Sequence, residues 1–333
     1  MKKIVCLVLA LTVSISLCSC EKSKKIDTTA EESILTTAST IRPATTESTI
    51  PPTTAVQTAA EPSMEDVLAA LTLENYPVVD GSTATIPLAT SLIKALTGCT
   101  DAQAEESIAF NTTDPSYQAM SDGKSQLLLV YPPSQPTIDQ LDVFHTMDMR
   151  EIGLDALVFI VNKDNPVNSL TSDQIRGIYS GKITNWSEVG GDDLPIVAFQ
   201  RPELSGSQTL MLNLMMKGTS LMEPTTETVS STMEGLINDI AAYDNSANAI
   251  GYSVYYYAQN MYAQPNLKFI SVDGVLPSND TINSKEYGFT SPFYGVIPLE
   301  PTPEAKAILD WLQTKVGQQL LSDSGYVPIM NLG

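Results

Sequence analysis

ALVFIVNKDNPVNSLTSDQIRGIYSGKITNWSEVGG, residues 156–191, sets the pattern for the whole chain. A short, almost wholly apolar run comes first and reads as a buried strand over 155–162. Thr171 and Gln174 then carry capping-box spacing, which opens a helix over 172–180. The same alternation recurs from residue 63 onward. Helices are expected near 63–73, 86–97, 101–108, 137–142, 205–217, 231–241 and 303–322. Strands are expected near 77–80, 126–131, 195–199, 248–252, 268–272 and 292–297. That order argues for an α/β fold.

The N-terminal residues differ in character. MKKIVCLVLALTVSISLCSC opens with Lys2 and Lys3, followed by an apolar run to about Leu17. This is the pattern of a secretory signal, too short for a spanning helix. Small residues before a cysteine resemble the bacterial lipoprotein signal, which puts the signal at 1–19 and a lipidated cysteine at Cys20. Residues 21–62 contain no glycine and no aromatic residue, and over a third are Ser or Thr. Such a stretch buries too little apolar surface to offset chain entropy, so 20–62 reads as a lipidated cysteine and disordered tether. A flexible chain of that length spans roughly 35 Å. The expected location is the extracellular face of a cell membrane, held by the lipid.

Composition narrows the function. The chain has 333 residues, with 18 Lys and Arg against 38 Asp and Glu, a net charge of −20. No basic face is available to neutralise phosphates, so nucleic-acid binding is excluded. The single histidine, His145, has no second ligand at metal spacing. No metal site and no cofactor is expected. A Ser-His-Asp hydrolase would need that histidine, and no G-x-S-x-G motif is present. A serine nucleophile at Ser205 or Ser207 is the remaining enzymatic reading, and the chain reads as a non-enzyme. Cys99, the one cysteine beyond the signal, reads as a small packed residue.

Two helix starts stand apart. In DGSTATIPLATSLIKALTG, residues 80–98, Thr85 is the expected cap with Pro87 in the first turn. Three hydroxyls cluster there, on Ser82, Thr83 and Thr85. In RPELSGSQTLM, residues 201–211, Arg201 precedes Ser205-Gly206-Ser207, and Ser205 with Gln208 repeats the capping box. Hydroxyls, backbone N–H groups and a guanidinium at helix N-termini suit an oxyanion, although plain capping explains the same spacing. An acidic protein repels anions at long range, so such a site must work through fixed local donors.

The quoted stretch, above all GKITNW (181–186), resembles the substrate-binding proteins of phosphate ABC transporters. AIGYSVYYYA (249–258), DWLQTKVGQQLLSDSGYVPI (310–329) and DGSTATIP (80–87) resemble that family in the same order. The resemblance implies a two-lobed, periplasmic-binding-protein-like clamshell of type II, with a central mixed β-sheet in each lobe and two hinge crossovers. Lobe 1 would be 63–153 plus 253–333, and lobe 2 would be 154–252. It implies ligand-binding roles for Thr85 and Ile86, for Thr113 with Thr112 beside it, and for Arg201, Ser205, Gly206 and Ser207. Glu203 falls where the family often has an acid that pairs with the arginine. Tyr131 stands where the family commonly has an acid that accepts the proton of hydrogen phosphate, which leaves the ligand open between phosphate and a related small oxyanion. The implied partners are that anion and the ABC permease subunits in the membrane, with the receptor a monomer. The competing reading is a non-transport clamshell serving as a surface sensor or adhesion module.

Overall fold

The structure, a computed structural model, describes residues 62–108, 110–224, 228–242 and 246–332. The signal, Cys20 and nearly all of the tether lie outside the described residues. Among the described residues no helix is long and apolar enough to cross a membrane.

Ten strands are present among them: β1 Val79–Gly81, β2 Leu127–Val130, β3 Met147–Asn162, β4 Ser169–Leu170, β5 Val197–Ala198, β6 Ala249–Val254, β7 Leu267–Phe269, β8 Ser271–Val272, β9 Thr290–Pro298 and β10 Val327–Pro328. The main sheet runs β1-β2-β9-β3-β6-β5, and β10 and β7 also pair with β3. It is mixed, with β1–β2 and β5–β6 parallel and β3 antiparallel to all its partners.

β3 organises everything else. Its first ten residues, Met147 to Ala156, pair with β9. From Leu157 to Val161 it pairs instead with β6. One continuous strand therefore belongs to two sheet regions. The sequence anticipates only its second half. Residues 147–151 carry Asp148, Arg150 and Glu151, which hide the strand because that part is half-exposed. From Ile152 to Asn162 every residue is buried, as expected of a strand covered on both faces.

Most helices fall where the pattern puts them. Leu88 and Leu92 are fully buried on one face of the helix Ile86–Thr97, which stops at Gly98. The Thr171–Gln174 capping box forms as read and opens the helix Ser172–Tyr179. Two readings need correction. The expected helix 303–322 is two helices, Pro303–Leu312 and Lys315–Asp323. Thr314 caps the second by accepting from the Gly317 N–H, so the chain restarts rather than continues. The helix Thr113–Ser121 was not expected, because TDPSYQAMS lacks an apolar stripe.

Trp186 is buried and its indole N–H donates to the Asn248 carbonyl at 2.9 Å. Met211, Met215 and Met216 are fully buried in the main core. Tyr256 stacks on Tyr326 at 3.6 Å between ring centres, next to the point where β3 changes partners.

Gly153 marks a bulge between β3 and β9, where the register shifts after Glu151. A Cβ there would lie 2.3 Å from the Phe293 ring. Gly153→Ala should cost about 1–3 kcal/mol through overpacking. The expected result is a lowered Tm that Phe293→Leu partly restores in the double variant. Equal Tm for Gly153→Ala and the parent would contradict this packing.

Candidate functional site

Three helix starts meet at one cavity of about 180 Å³. Ser82 and Thr83 line it from the first, Thr112 and Thr113 from the second, and Ser205, Gly206 and Ser207 from the third. Arg201, Tyr131, Leu204, Ser231 and Met233 complete much of the wall. Drug-sized pockets run from about 300 Å³ upward, so this space suits a small ion.

The first start is displaced from its expected position. Thr85 does not line the cavity and its side chain makes no cap bond. It is fully buried, and its hydroxyl donates to the carbonyls of Ser82 and Leu129, at 2.9 and 2.6 Å. Ile86 does not reach the cavity either. The reason is a 3₁₀ turn, Thr83–Thr85, that runs directly into the helix. It moves the open N-terminus three residues back, to Ser82. The hydroxyl cluster at 82–85 was visible in the sequence, but the turn decides which members face inward.

The second start is under backbone strain. Thr112 has φ 80° and ψ 174°, a region occupied almost only by glycine. A β-branched residue held there costs of order 1–3 kcal/mol. Asp80 fixes the approach to it. Its carboxylate accepts from the Asn111 N–H at 2.7 Å and from Asn111 Nδ2 at 2.6 Å. Thr113 Oγ1 lies 2.8 Å from Ser82 Oγ, which joins the first two starts.

The third start is the expected one. Ser205 Oγ accepts from the Gln208 N–H at 3.3 Å and caps the helix beginning at Gly206. That helix passes into a π-helical segment, Met211–Met216, a feature frequent near functional sites. Gly206 permits close approach between the walls. A Cβ on it would sit 2.6 Å from Thr113 Oγ1 and 3.4 Å from Tyr131 Cβ.

Arg201 supplies the charge. It is only 8% exposed. One guanidinium nitrogen donates to the Ser230 carbonyl at 2.8 Å, and its backbone N–H donates to the Tyr252 hydroxyl at 3.1 Å. Tyr252 in turn donates to Gln208. Arg201 Nε and Ser207 Oγ are both buried with no hydrogen-bond partner. Glu203 is exposed, and among the described residues no carboxylate pairs with Arg201. Burial draws the Arg201 pKa down to about 10, so the group stays charged at neutral pH.

The Tyr131 hydroxyl proton is already engaged. The hydroxyl donates to Asp155, a fully buried carboxylate that sequence reasoning missed. Asp155 also accepts from the Ala156 N–H at 2.7 Å and the Tyr256 N–H at 3.1 Å. It thus ties the cavity wall to the point where β3 changes partners. Its only sequence signal is an acid at the start of an apolar run. Burial raises its pKa from 3.8 to about 6.

This fold and this anion-suited cavity agree with comparisons to known proteins. A family model described as the PBP superfamily domain matches residues 48–316, so the chain belongs to that superfamily. Among curated relatives, the phosphate-binding protein PstS of Bacillus subtilis is 28% identical over 184 residues, covering 55% of this chain and 58% of the relative. PstS of Borreliella burgdorferi is 26% identical, covering 53% and 63%. The chain therefore spans less than two thirds of these relatives' length. A Clostridium perfringens structure, described as a phosphate ABC transporter substrate-binding protein with bound phosphate, matches with TM-score 0.61 and 25% identity. That match covers 76% of this chain and 98% of the other. An ABC-type phosphate transport receptor from Vibrio cholerae has the same fold, with TM-score 0.56 and 20% identity over 75% and 98% of the two chains. The curated relatives are named as binding proteins, not enzymes.

Asp155 has a testable linkage to pH. Its native pKa is raised, so the native state holds the proton more tightly than the unfolded chain. Its contribution to stability is fully present below pH 3.8 and is lost as pH rises through about 6. The loss is on the order of 3 kcal/mol. Asp155→Asn keeps the acceptor for both N–H groups and removes the titration. Relative to the parent, this variant should gain stability between pH 4 and pH 7, read as urea midpoints. Parallel profiles for the two proteins would contradict the assignment.

Proposed function

We propose that this protein is a lipid-anchored extracellular receptor that captures phosphate, or a related small oxyanion, and delivers it to an ABC importer. The observation that carries the reading is the pair of buried, unpartnered donors at Arg201 Nε and Ser207 Oγ. Unsatisfied buried donors are costly, and a buried cation without a counter-charge more so. Both residues line the cavity, so an anion held there is placed beside them. Three helix N-termini add partial positive charge at the same point.

In this reading residues 63–153 with 253–333 form one lobe and 154–252 the other. The binding residues are Thr112, Thr113, Arg201, Ser205, Gly206 and Ser207, with Ser82 and Thr83 taking the place of Thr85 and Ile86. The relatives' names support phosphate as guest and transport as purpose. The signal sequence supports the anchor at Cys20, with permease subunits as the membrane partner and the receptor acting as a monomer. Hydrolysis of ATP belongs to that partner; this chain performs no bond chemistry.

Hydrogen bonds to charged groups contribute about 1.5–3 kcal/mol each. Ser207→Ala should therefore weaken phosphate binding about tenfold to a hundredfold. Arg201→Ala should weaken it beyond a hundredfold, since among the described residues it removes the one charged side chain of the wall. Titration calorimetry on the folded proteins checks both. Phosphate should raise the parent's Tm, because a guest of the folded state alone stabilises it. Parent-like affinity in Arg201→Ala would overturn the reading.

A further inference from the structure

The cavity wall is notable for its acceptors as well as its donors. Its side chains are hydroxyls, one guanidinium, one phenol and apolar groups, and no carboxylate, imidazole or amide lines it among the described residues. The hydroxyls are already biased toward donation. Ser82 Oγ accepts from the Tyr131 N–H at 3.0 Å, and Ser205 Oγ accepts from the Gln208 N–H. A hydroxyl that takes an N–H on one lone pair has its own proton to give, although one proton of the Ser82–Thr113 pair is spent between those two hydroxyls. Ser207 Oγ has no partner at all.

Three carboxylates lie close to wall residues and none lines the cavity: buried Asp114, between Thr113 and Pro115, accepts from the Ser134 N–H at 2.9 Å and has one oxygen without a partner, and the other two are covered by hydroxyls. Asp155 lies behind Tyr131 and takes its phenolic proton. Asp239 lies behind Ser230 and takes its hydroxyl proton. Neither lines the cavity. No wall group therefore demands a proton from the guest, and none meets a fully ionised oxygen with negative charge.

That has a consequence for ligand class. A site that must hydrogen-bond a hydroxyl of its guest rejects an analogue lacking it by about 10⁴–10⁵, because its buried acceptor is left unpaired. A like charge facing the guest adds repulsion. Neither penalty operates here. A remaining lone pair on a wall hydroxyl can still take the proton of hydrogen phosphate, but nothing requires it. We propose that this cavity takes tetrahedral oxyanions irrespective of their protonation, binding sulfate within a hundredfold of phosphate. The inference rests on the receptor reading, and it changes what the receptor selects.

The test is titration calorimetry of the purified folded protein with sodium phosphate and with sodium sulfate at pH 7.5, in chloride buffer. Sulfate is then used to displace phosphate, and both titrations are repeated on Arg201→Ala. The expected result is sulfate affinity within a hundredfold of phosphate, competition for one site, and loss of both in the variant. Phosphate binding with sulfate more than a hundredfold weaker overturns the inference and leaves the receptor reading standing. Sulfate binding that does not displace phosphate, or that survives Arg201→Ala, overturns it as well. Binding of neither anion overturns both.

Discussion

The interaction on which this molecule turns is a guanidinium buried without a counter-charge among the described residues. Arg201 has one carbonyl for a partner, at Ser230, and a Nε with none. In a protein of net charge −20, carboxylates are abundant and pairing this cation with one would be easy. The fold instead keeps Glu203 in solvent and occupies Asp239 with the Ser230 hydroxyl. Keeping a buried cation unpaired is unfavourable for folding. The arrangement is consistent with a molecule shaped by its affinity for an anion rather than by its own stability. The strain at Thr112 belongs to the same pattern, since a β-branched residue there has no structural advantage over glycine.

The sheet explains how such a cavity is held. β1 and β2 deliver Ser82 and Tyr131 from one part of the sheet, and β5 delivers Arg201 from the other. The two parts are joined through β3, whose partner changes between Ala156 and Leu157. Asp155 sits at that change and contacts the cavity wall through Tyr131 and the chain after β6 through Tyr256. A single carboxylate thus connects the strand that crosses, the segment that returns and one wall of the cavity. It does so at a cost in solvation, which its elevated pKa records.

Much of this was legible in the residues, and the failures share a cause. Helix caps depend only on neighbours in sequence, so the Thr171–Gln174 box and the Ser205 cap are readable, although Gln208 bonds Tyr252 instead of closing the second box. Arg201 was singled out because a cation ahead of Ser-Gly-Ser is unusual. Thr85 lies away from the cavity because a 3₁₀ turn and an α-helix leave the same caps in the sequence but rotate different hydroxyls inward. The helix at Thr113 was hidden because its start is fixed by distant groups, Asp80 through Asn111 and Ser82 through its hydroxyl. Asp155 was passed over because its three partners come from residues 131, 156 and 256. Local chemistry is written in the sequence, whereas long-range satisfaction of polar groups is not.

The closeness of the walls bears on how a guest arrives. Gly206 packs so tightly on Thr113 that even a methyl group would collide with its hydroxyl oxygen. Ser207 is fully buried and Arg201 nearly so. On the receptor reading, a guest reaches these two groups when the walls part and is enclosed when they return. β3 connects the two parts of the sheet, pairing with β9 up to Ala156 and with β6 from Leu157. On that reading, rotation about β3 would separate Gly206 from Thr113 while leaving each set of donors on its own helix start, and the glycine is needed only where the two walls touch.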